Sequence, residues 1–226
     1  MPASLSCLCH EGNLEGVRSY LNGGGDINRR GGNHGTTSLM VAARRGHNSV
    51  MALLMQQPEL EVDLKDSQGQ TALHYSCSGG NTSGLALLLA HPGLTSLDAR
   101  DNNMETALMM AVKQGQLGCV ELLVQVPGVE LNTRDRCSQS LVSLARKKSV
   151  EMWRLVQGEQ EKRTCMRREA ERRREKEIRA EKISKDIEKS IEEKLTRLEE
   201  LTKATQSFID YKAKEMKILI QKLTPT

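Results

Sequence analysis

Leu39, Leu73 and Leu108 head three copies of one pattern, spaced by 34 and 35 residues. Self-similarity at that period restricts the chain to a row of stacked supersecondary units, because one such unit cannot bury its apolar face alone. The third copy shows the pattern most fully, Gly69-Gln-Thr-Ala-Leu-His-Tyr-Ser-Cys followed by Gly80 and a leucine-rich run to Leu89. Gly46, Gly80 and Gly115 stand at one place in their copies, and Gly12 holds the same place in a partial first copy. Each unit is thus predicted to be two short helices around a glycine turn, the second helix ending before Pro58, Pro92 or Pro127 because proline supplies no backbone N–H.

Composition agrees with a thin, layered core. Hydrophobic residues make up 38% and aromatics only 2%, so Leu, Ala, Val and Met must fill the seams. Small residues at Ala42-Ala43, Ser76-Cys77 and Ala111-Val112 let neighbouring first helices approach, and the paired leucines of the second helices, such as Leu53-Leu54 and Leu122-Leu123, close the gap. A shortened fifth unit opens at Ser138-Gln-Ser-Leu141 and closes with Met152, Trp153 and Val156, with Arg146, Lys147 and Lys148 on its outer side.

These stretches resemble ankyrin repeats, over roughly residues 4–156. The family pattern Gly-x-Thr-Pro-Leu-His-x-Ala-Ala is matched by Thr71-Ala-Leu-His-Tyr-Ser-Cys and Thr106-Ala-Leu-Met-Met-Ala-Val, with Ser38, Ala72 and Ala107 in place of its proline. The resemblance implies an all-α ankyrin-repeat solenoid of about five helix pairs with hairpin loops. Its units would be 4–34, 35–68, 69–102, 103–136 and a cap at 137–157, within a repeat domain of residues 1–157. It also implies that His74 braces its hairpin through backbone hydrogen bonds.

Residues 158–226 are of another kind. Between Glu159 and Lys222 there is no proline or glycine, and the Glu, Lys, Arg, Ile and Leu that dominate favour one long helix. Gln160 to Lys182 is nearly all charged and reads as a solvated rod laced with pairs three and four residues apart. From Ile183 an apolar stripe runs through Ile187, Ile191, Leu195, Leu198, Leu201, Phe208, Met216, Leu219 and Leu223. Eleven-residue steps link Ile187, Leu198, Ile209 and Ile220, and this drift favours a nearly straight helix over a tight left-handed coil. Self-association of residues 183–223 as a coiled coil remains an open alternative.

Chemistry has few footholds. Cys7-x-Cys9-His10 offers zinc-type ligands, but a structural site needs four and no second pair lies at a useful spacing; Cys9 aligns with the packing residues Ala43, Cys77 and Val112. Six cysteines in a chain this long do not form a disulfide framework, which points to a reducing, cytoplasmic setting. No phosphate loop, nucleophile elbow or His-Glu-x-x-His pair is present, so neither catalysis nor a cofactor is expected. The formal net charge of +4 equals the surplus of Glu161 to Lys182, ten Lys/Arg against six Glu. Lys162-Arg163 with Arg172 to Arg174 loosely resembles a two-part nuclear import signal, yet the interleaved glutamates and missing aromatics argue against nucleic acid. No apolar run approaches the length of a membrane span.

A protein partner is the remaining expectation. Ankyrin stacks bind through hairpin tips and the first-helix face, which the resemblance carries here to Ser67, Gln68 and Gln70, to Asn102, Asn103 and Glu105, and to Arg44, Arg45, Lys113 and Gln114 at first-helix ends. Tyr75 and Met110 lie between them as apolar anchors. Three cations on this surface predict a partner segment that is acidic and partly apolar.

Overall fold

The computed structural model describes residues 4–32 and 34–223, with side chains to residue 217. The chain divides into two units, Met1–Arg163 and Thr164–Thr226. Leu219, Ile220 and Leu223 of the predicted stripe have side chains outside the described set.

The first unit is built from helix pairs: α1 (Leu5–Glu11) with α2 (Leu14–Asn22), α3 (Ser38–Arg45) with α4 (Asn48–Met55), α5 (Ala72–Gly79) with α6 (Thr82–Leu89), and α7 (Ala107–Gln114) with α8 (Leu117–Gln125). A fifth pair joins α9 (Leu141–Lys148) to the start of α10 (Val150–Leu223). Among the described residues the only β pairing consists of isolated bridges at Gly31 with Thr36 and Arg134 with Ser140. The aligned glycines Gly12, Gly46, Gly80 and Gly115 close the first helices at φ of 71°, 78°, 70° and 79°, a left-handed conformation that costs glycine nothing.

The first helices α1, α3, α5, α7 and α9 pack successively in one row, and α2, α4, α6 and α8 in another. Leu39, Leu73, Leu108 and Leu141 lie buried at the head of their helices, each contributing about 1.5–3 kcal/mol by leaving water. The small residues do what their spacing implied: Ala42, Ala43, Ser76, Cys77, Ala111 and Val112 are fully enclosed. Cys9 is enclosed with them, and burial pushes its thiol up to about 11. Asn81, at the turn of the third unit, donates to the carbonyl of Ala43 at 3.1 Å and accepts from Gly84 at 2.9 Å, so one side chain caps α6 and ties it to the unit before.

One boundary differs from expectation. The last helix of the stack does not stop before Gly158 but continues through it as part of α10. Nothing lies within 4 Å of where a Cβ would stand on Gly158, and a lone glycine costs a helix only about 1 kcal/mol relative to alanine. Helix-forming neighbours on both sides outweigh that. In the second unit α10 carries Lys185–Glu181 at 2.8 Å and Arg167–Glu171 at 3.0 Å, each four residues apart. No described helix is long and apolar enough to cross a membrane.

Candidate protein-binding face

The hairpins between units are held by a carboxylate that recurs at repeat spacing. Asp66 Oδ1 accepts from the N–H groups of Gln68 and Gln70 at 2.9 and 2.8 Å, and Asp101 Oδ1 from those of Asn103 and Glu105 at 2.8 and 2.9 Å. Asp135 does the same for Gln139 at 2.8 Å. All three aspartates are buried. Their steps of 35 and 34 residues are a signal present in the sequence.

Stapled in this way, the tips stack on one another. Ser67 N–H donates to His34 O at 2.9 Å, Asn102 N–H to Gln68 O at 2.8 Å, and Arg136 N–H to Asn103 O at 2.8 Å. Backbone polarity is therefore spent within the row, and the tip side chains of Ser67, Gln68, Asn102 and Asn103 are exposed. His74 braces the third hairpin. Its Nδ1 accepts from Thr71 N–H at 3.2 Å and its Nε2 faces Glu105 O at 3.1 Å, a pair of partners that requires the neutral ring protonated on Nε2. Burial lowers its pKa, in keeping with that neutral state.

The residues predicted for partner contact fall into three groups. Arg44, Arg45 and Gln114 are exposed at first-helix ends, beside the exposed tips. Gln70 and Met110 are half-buried. Tyr75, Glu105 and Lys113 are engaged inside the fold: the Tyr75 phenol donates to Asp66 Oδ2 at 2.8 Å, and Lys113 Nζ contacts Glu105 at 2.5 Å and Asp135 at 3.1 Å. Burial, then the hydrogen bond to Asp66, pushes the Tyr75 phenol up to about 12.

Sequence comparison agrees with this geometry. A family model described as ankyrin repeats (3 copies) matches residues 5–94 and 58–135, more than half of the chain. The chain belongs to the ankyrin-repeat family. Alpha-latrotoxin-Lg1a of Latrodectus geometricus is 27% identical over 105 residues, which is 46% of this chain and 8% of the toxin. BCL-6 corepressor-like protein 1 of Homo sapiens is 39% identical over 69 residues, 30% of this chain and 4% of that protein. The matched segments thus span less than a tenth of the length of these curated relatives.

Within the stack, Lys113 is a structural cation. Burial alone would lower its pKa, but the two carboxylates hold it above the ordinary value; against the opposing effect of burial, the Gln139 N–H and then the Lys113 ammonium leave Asp135 below the usual carboxylate range. Asp135 thus contributes stability that is present above its unfolded pKa of about 4 and lost as pH falls through the lower folded value. Lys113 contributes stability that is full below about pH 10.4 and lost as pH rises through its higher folded value. Lys113→Met is expected to cost about 1–3 kcal/mol at pH 7, discounted for the partial exposure of the ammonium, and to flatten both shoulders. Urea midpoints at pH 3, 7 and 11 check this; a variant curve running parallel to the parent's would count against it.

Proposed function

We propose that the chain is an adaptor or scaffold without catalytic activity of its own, binding an acidic, partly apolar protein segment along its hairpin tips and first-helix ends. Ankyrin repeats are generally protein-interaction modules. The observation that carries the reading is the tip ladder. Its backbone groups are paired from hairpin to hairpin, so what the row offers a partner is side chains: the polar tips of Ser67, Gln68, Asn102 and Asn103, with Arg44, Arg45 and Gln114 beside them. A rigid platform of this kind keeps the entropic cost of binding low.

A second reading gives the work to α10. Ile187, Leu198 and Ile209 are each more than half exposed and recur every eleven residues, and such a stripe is buried when a second copy packs against it.

Photo-crosslinking separates the two. The full chain carrying benzoylphenylalanine at Gln68, Asn103, Glu121 or Ile191 is irradiated in cells and the adducts are weighed. Adducts to another protein are expected from Gln68 and Asn103 and none from Glu121 on α8. Adducts of twice the chain's mass from Ile191, with none from the tips, would transfer the function to α10.

A further inference from the structure

Arg44 and Lys113 occupy the same place in the second and fourth units, 69 residues apart, but their surroundings differ. Lys113 meets Glu105 eight residues before it and Asp135 twenty-two residues after it. At those same offsets Arg44 has Thr36, a hydroxyl, and Asp66. Asp66 is already committed, Oδ1 to the N–H groups of Gln68 and Gln70 and Oδ2 to the Tyr75 phenol. The fourth unit therefore neutralises its cation internally and the second does not. Among the described ion pairs none includes Arg44 or Arg45.

Both arginines open into one groove of about 420 Å³, lined also by His10, His34, Val41 and Tyr75. That volume is within the range of pockets that hold a ligand. The Arg45 guanidinium lies against His10 Nε2, and the backbone of His10 is in turn held by the His47 ring at 3.1 Å. The side chain of Arg45 is therefore aimed rather than loose. Consecutive residues on a helix project about 100° apart, so two guanidinium forks here do not converge readily on one small anion. Each fork is suited to one carboxylate of its own.

We propose that this groove is the receptor for two adjacent carboxylates on an extended segment of the partner, with a neighbouring aliphatic side chain resting on the half-buried Val41. The inference rests on the binding-face reading and gives it a location, the second unit rather than the fourth. It also removes Lys113 from the contact set.

The test is titration of the full chain with acetyl-Leu-Glu-Glu-Leu-amide, followed through the arginine Nε–H resonances. Two further peptides are run alongside, one with glutamines for both glutamates and one with phosphoserine-glutamine in their place. Saturable shifts of the Arg44 and Arg45 signals are expected from the diglutamate peptide. Affinity should fall about ten-fold or more with the glutamine peptide, and as much in Arg44→Gln or Arg45→Gln, while Arg154→Gln on α10 leaves it unchanged. Equal binding of the glutamine peptide, or tighter binding of the phosphoserine peptide, overturns the proposal. If no peptide saturates while tip crosslinks to a protein persist, this inference fails and the binding face stands. If the crosslinks are absent as well, both fail.

Discussion

Gly79→Ala is expected to lower the stability of the repeat unit by about 2–4 kcal/mol, although alanine is the better helix former by about 1 kcal/mol. The two effects oppose each other, and distance decides between them. A Cβ on Gly79 would stand 2.2 Å from the carbonyl oxygen of Arg44 and 2.9 Å from its carbon. The obstacle is backbone, which cannot rotate aside as a side chain would, so α3 and α5 must separate or α5 must shift along its neighbour. Either movement opens the enclosed seam around Ala42, Ala43, Ser76 and Cys77. Gly46→Ala is the matched comparison. That glycine has nothing within 4 Å of its Cβ position, so its cost comes only from its left-handed backbone, about 1 kcal/mol. Guanidinium denaturation of the two variants should show the larger loss at Gly79, and the reverse order would mean that the close approach of α3 and α5 has been misjudged.

Gly79 also marks how far the sequence could be read. The period of Leu39, Leu73 and Leu108 determines the stacking, the turn glycines and the enclosed small residues, because all of these follow from one unit repeating its contacts with the next. Departures from the period are harder to interpret. Gly79 stands where the second and fourth units have Arg45 and Gln114, and only the distance to Arg44 O gives the reason. The same holds for the cations. Arg44 and Lys113 look equivalent in the sequence, and their difference depends on what lies eight residues before and twenty-two after, across a hairpin and a unit boundary. Charge composition misleads most in Gln160 to Lys182, where a run rich in Arg, Lys and Glu reads as uniformly solvated although its first arginine turns inward.

Arg163→Ala should cost about 2–4 kcal/mol, an effect far larger than surface arginines usually show. Helix α8 ends at Gln125 without a left-handed glycine, its cap residue Val126 extended at φ −74° and ψ 120°, so its last carbonyls lack helical partners. Arg163 serves one of them, Val124, together with the carbonyls of Val126 and Val129 just beyond the helix end. Its Nη1 donates to Val129 O at 2.6 Å, and its Nη2 to Val124 O at 2.7 Å and Val126 O at 2.9 Å, while Nε pairs with Glu159 at 3.3 Å. The positive charge also sits at the negative end of the α8 dipole. A planar guanidinium can serve three acceptors arrayed in this way, whereas one ammonium cannot span them, so Arg163→Lys should recover less than half of the loss. Arg167→Ala, whose partner is the exposed Glu171, should change stability by no more than about 0.5 kcal/mol. Guanidinium midpoints of the three variants give the ranking. A loss at Arg163 no greater than that at Arg167 would show that α8 closes without it, as α4 and α6 close at Gln56 and Ala90 without a left-handed glycine.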